Sequence, residues 1–106
     1  MGLDFLHNLT DQEGAAIYLL HNGSTFQERQ FLSYKSELQK HTQKQIQVFS
    51  YREGNGAKLA DFYDIVAEKL PAVLIVRDTD ELAGQWYGLQ LPQPRDVAYL
   101  ADKVSH

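Results

Sequence analysis

The sequence predicts an α/β domain with one mixed four-stranded sheet, built as βαβ followed by ββα, and with helices on both faces. Three observations carry that expectation. Two short, nearly pure apolar runs, Ala15 to Leu20 and Ala72 to Val76, have the composition of strands covered on both sides. The stretches between them change to helical spacing. The polar tetrad Asp78-Thr79-Asp80-Glu81 then joins the second run to another strand-like segment, through a connection short enough to require an antiparallel hairpin. With 106 residues, 43% of them hydrophobic, the chain suits one core. Such a core buries roughly 60 to 70% of the surface of the unfolded chain. A single domain over 1–106 is expected, with residues 1–14 as an N-terminal extension.

Taken in order, Leu3, Phe5, Leu6 and Leu9 have the spacing of a short amphipathic helix before the turn signal Thr10 to Gly14. Ala15 to Leu20 is the first core strand, ended by His21-Asn22-Gly23. From Thr25 to Thr42 the apolar residues Phe31, Tyr34 and Leu38, with Phe26 or Gln27 one turn earlier, mark a helix of about four or five turns. Two overlapping capping signatures stand at its start, Ser24-x-x-Gln27 and Thr25-x-x-Glu28, and each is a candidate boundary. Ile46 to Tyr51 reads as a second strand, and Gly54-Asn55-Gly56 breaks the chain after it. The next helix sets Leu59, Phe62, Val66 and Leu70 on one stripe and is stopped by Pro71, whose position before a buried strand suits a rigid turn. Ala72 to Val76 and Leu82 to Tyr87 form the hairpin, closed by Gly88. A last helix starts near Pro94, a residue suited to a first turn, and puts Val97, Leu100, Ala101 and Val104 on one face.

Composition excludes several functions. The net charge of -4 comes from interspersed acids and bases with no basic block, so nucleic acid is not an expected partner. No apolar stretch approaches the roughly 20 residues of a membrane-spanning helix, and Met1 to Thr10 lacks both a basic start and a long apolar centre. A cytoplasmic protein without membrane contact is the expectation. The absence of cysteine excludes disulfides, thiolate metal sites and thiol catalysis. His7, His21, His41 and His106 lack zinc-like spacing, and Asp78, Asp80 and Glu81 lack the length and glycine of a calcium loop, so no metal or cofactor is expected.

From about Ala15 to its C-terminus the chain resembles the thioredoxin-like superfamily. In that family a strand leads into a CxxC at the start of a long helix, a cis-proline precedes the third core strand, and a glycine follows the fourth. The resemblance sets Thr25-Phe26-Gln27-Glu28 on the CxxC segment, or Ser24 to Gln27 after a one-residue shift, with Pro71 on the cis-proline and Gly88 on the glycine. The departures matter more than the matches. Thr25 stands for the attacking cysteine and Glu28 for the resolving one, and neither can exchange a disulfide. The family's buried aspartate falls on Leu19 and its lysine partner on Ser50, so the support for proton transfer is missing as well.

The resemblance therefore implies a redox-inactive domain, without thiol-disulfide oxidoreductase activity, whose groove binds a protein or peptide. Ser24, Thr25, Phe26, Leu70, Pro71, Trp86 and Gly88 are its expected lining residues. The helix start offers unbonded N–H groups, and the residue before a cis-proline offers backbone groups to an extended chain. Simple capping also accounts for Ser24 and Thr25, and a structural turn for Pro71. Of Trp86 and Tyr87, alternation in a strand sends one to the core and one to solvent, and an exposed Trp86 would be a candidate anchor. Two further readings stand beside this one. The first is an enzyme binding glutathione or another anion through Thr25 or Ser24, and the second a structural domain that forms a homodimer through the second strand or the Trp86 edge.

Overall fold

The computed structural model describes residues 14–88 and 90–104. Its strands are β1 (Ala16–His21), β2 (Ile46–Ser50), β3 (Ala72–Val76) and β4 (Leu82–Tyr87). Its helices are α1 (Thr25–Leu38), α2 (Gly54–Phe62) and α3 (Pro94–Lys103), with a short 3-10 turn at Ala67–Lys69. The strands form one mixed sheet in the order β2-β1-β3-β4. β1 runs parallel to β2 and antiparallel to β3, and β4 is antiparallel to β3. The helix expected over Leu3 to Leu9 lies outside the described residues, as do His7 and His106. No helix among the described residues is long and apolar enough to cross a membrane.

The two apolar runs became the two central strands. Every residue of β1 and β3 is buried, whereas the edge strands are half-buried apart from Ile46 of β2, which is buried, and Gln85 of β4, which is exposed. Alternation along the central strands divides the core into two layers. Tyr18, Leu20, Ala72 and Leu74 face α2 through Leu59 and Ala60. Ile17, Leu19, Val73 and Ile75 face α1 and α3 through Phe31, Leu38, Val97 and Ala101. The last two strands meet through a tight turn in which Arg77 N–H donates to Glu81 O at 2.9 Å and Asp80 N–H to Arg77 O at 2.9 Å.

Three expectations need correction, the first being the helix read from Thr25 to Thr42, which ends at Leu38. The helix expected to run on to Leu70 ends at Phe62, and Phe62 and Val66 are 46% and 48% exposed. Asp64 takes a left-handed conformation (φ 55°), while Ile65 N–H donates to Ala60 O at 2.8 Å and Asp64 N–H to Asp61 O at 3.3 Å. That pair of bonds is a Schellman ending, and Ile65 closes it by packing into the same core layer as Ala60. The glycine cluster expected to break the chain instead opens α2. A Cβ at Gly56 would lie 1.8 Å from the Ser50 carbonyl oxygen, so the helix rests directly on the end of β2.

Candidate functional site

The carboxyl ends of β1 and β2, the entry to β3 and the exit from β4 share one end of the sheet. Here β1 passes through Asn22, Gly23 and Ser24 into α1, and the loop satisfies itself. His21 Nδ1 accepts from Gly23 N–H at 3.0 Å, Asn22 Oδ1 from Ser24 N–H at 2.9 Å, and Gln27 Oε1 from Asn22 N–H at 2.9 Å. Ser24 is the cap of α1, its Oγ accepting from Gln27 N–H at 3.2 Å. The capping box is opened out, because the Gln27 amide reaches past the cap to Asn22. Arg52 locks the loop from β2, with Nε donating to Asn22 O at 3.1 Å. Thr25 and Phe26, in the first turn, have N–H groups without an intrahelical acceptor.

His21 is 4% exposed, and burial lowers its pKa below the ordinary histidine value, against a smaller opposing pull from Glu28. With Nδ1 accepting, the neutral ring carries its proton on Nε2. The register Leu20↔Ala72, continued by one residue, brings His21 opposite Pro71. The Leu70-Pro71 bond is cis. Gly88 N–H is shared between Pro71 O at 2.9 Å and Lys69 O at 3.1 Å, and Gly88 has a positive φ of 97°. Lys69 Nζ sits 5.2 Å from the centre of the Tyr87 ring, a cation–π contact beside the same turn.

The seven residues expected to line a groove do not share one surface. Thr25 and Phe26 are exposed, Phe26 at 71%, and with Arg29, Gln30 and Ser33 they border an open depression along α1. Ser24, Trp86 and Gly88 are half-buried, and Pro71 is buried. Leu70 is buried in the layer under α2, whereas Trp86 packs into the layer under α1 and α3. Leu70 N–H is also occupied, donating to Ala67 O at 3.1 Å. The division expected between Trp86 and Tyr87 gives way to a shared one: each is half-buried, Tyr87 on the α2 side and Trp86 on the other, because each face of the sheet carries its own core layer.

Sequence reasoning missed a polar tie at the opposite end of the sheet. Thr42 Oγ1 donates to Asp102 Oδ1 at 2.9 Å and accepts from Lys44 N–H at 3.1 Å, within an open depression bounded by Gln39 to Lys44. Nothing in the spacing of Thr42 and Asp102 announces this contact between residues far apart in the chain. Among the described residues no group of three or more histidines or carboxylates could hold a metal ion.

No protein-family model matches the chain, and no curated protein matches it in sequence. Among solved structures it is similar to the crystal structure of a designed protein, with a TM-score of 0.64 and 12% identity over 97% of this chain and 86% of that one. At that identity the likeness concerns the fold alone.

Proposed function

We propose that this chain is a thioredoxin-like domain without redox chemistry that binds a protein or peptide at the end of the sheet where α1 begins and Pro71 enters β3. One observation carries the reading: the start of a 14-residue helix, the Pro71 entry to β3 and an exposed Phe26 occur at the same sheet end. The strand order β2-β1-β3-β4 and the lack of cysteine support it. The binding surface is narrower than the set of residues expected from sequence. Thr25 and Phe26 supply an apolar, partly hydroxylated contact, and the first-turn N–H groups face main-chain or carboxylate oxygens. Pro71 and Gly88 shape the neighbouring loop through their main chain.

The test is a peptide selection against the intact domain, followed by amide NMR titration of the selected peptide. Shifts confined to Thr25, Phe26, Arg29 and Lys69, lost in Phe26→Ala, are expected. Tight binding that moves other residues, or that Phe26→Ala leaves unchanged while its spectrum stays folded, would overturn the proposal. Titration with glutathione addresses the enzyme reading, which requires shifts at Ser24 and Thr25.

A further inference from the structure

A strand edge with unbonded main-chain groups is a template for another strand. Among the described residues β2 stands at an edge of the sheet and pairs with β1 over its whole length without a bulge. Ile17 N–H donates to Gln45 O and Tyr51 N–H to His21 O, each at 2.9 Å. These two bonds turn the odd-numbered residues of this segment toward β1, so the N–H and C=O groups of Ile46 and Val48 point away from the sheet. Past them, the Ser50 carbonyl lies against α2 at Gly56. None of the usual guards is present in β2, which has no charged residue and no proline.

We propose that β2 pairs with β2 of a second copy of this chain, antiparallel about a two-fold axis at Gln47, which doubles the sheet. In that register Ile46 faces the partner's Val48, and such a pair exchanges N–H and C=O in both directions. On one face the facing side chains are β-branched, which favours cross-strand packing. On the other, Gln47 meets the partner's Gln47 on the axis. A side-chain amide carries both donor and acceptor and so complements itself, as a contact between identical surfaces requires. Lys44 then faces the partner's Ser50, and no like charges are opposed. An axis at Val48 would set Lys44 against the partner's Arg52, a repulsion that the register at Gln47 avoids. This surface is separate from the one at the start of α1.

The experiment is sedimentation equilibrium on the full chain, with hydrogen exchange at the Ile46 and Val48 amides. Wild type is expected at twice the mass of one chain, with both amides protected and their protection lost on dilution. Gln47→Lys and Gln47→Glu, each of which sets like charges on the axis, are expected at the mass of one chain, and an equimolar mixture returns to twice that mass. Val48→Pro removes an outward donor without touching the bonds to β1 and is expected to give the same halving. Wild type at the mass of one chain at every soluble concentration would overturn the proposal. So would a dimer unchanged in the folded Gln47→Lys protein, or a single chain whose Ile46 and Val48 amides stay protected, since another occupant would then hold the edge.

Discussion

His21 holds its loop with a lone pair, and that gives the protein a pH dependence of known sign. The folded state disfavours the charged ring, so over the range below the ordinary histidine pKa of 6.5 the unfolded chain takes up the proton first. Stability is therefore complete above that value and declines as pH falls below it, until the folded form also protonates and the Nδ1 bond to Gly23 is lost. Urea unfolding at a series of pH values from 7.5 down to about 5 should show this decline in the wild type and a flatter profile in His21→Gln. Asp64 is the second residue with a testable conformation. A left-handed backbone disfavours any L side chain, so Asp64→Gly should stabilise the protein by about 0.5–1 kcal/mol, read as a higher urea midpoint at unchanged slope. Ser24→Ala removes the cap of α1 and leaves Gln27 N–H without its acceptor, with an expected loss of about 1 kcal/mol by the same measurement. Ser24 was legible in sequence as one of two candidate caps. The roles of His21 and Gln27 were not, because each depends on where the loop between β1 and α1 folds back.

At the scale of elements, α2 shows how contact with a neighbour overrides a local pattern. The spacing of Leu59, Phe62, Val66 and Leu70 is helical, yet only Leu59 and Leu70 are buried. Resting the helix on the end of β2 requires a glycine at the contact, and the Schellman ending turns the chain back so that Ile65 fills the core in place of Val66. Gly56→Ala should therefore be among the most damaging small substitutions, costing about 2 kcal/mol or more because backbone rather than a flexible side chain must move. Thermal unfolding of that variant beside Gly54→Ala distinguishes close approach from a left-handed backbone penalty, since nothing lies within 4 Å of a Cβ built at Gly54. Gly54 has a positive φ of 58°, so its substitution carries a backbone penalty alone.

At the scale of the whole molecule, two tyrosines tie distant segments across opposite layers. Tyr34 donates its hydroxyl to Pro92 O at 2.6 Å, linking α1 to the approach to α3, and Tyr63 donates to Asp80 O, linking the end of α2 to the β3–β4 turn. Burial, with an acidic neighbour in each case, raises both phenol pKa values, so both stay protonated donors well above neutral pH. Tyr34→Phe and Tyr63→Phe should each cost about 1 kcal/mol, and the double variant about their sum, because the two ties share no partner. A double-mutant cycle in urea checks the additivity.

The kind and order of the elements from Ala15 onward, and the exclusion of sulfur chemistry, were already present in the residues, because hydrophobic period, turn composition and the count of cysteines are local quantities. Which strands stand at the edges, that Leu70 and Trp86 face opposite layers, and that the start of α1 and Pro71 meet at one sheet end were decided by strand pairing. Such pairing is a sum over contacts between residues far apart in the chain, and no short window of sequence contains that sum.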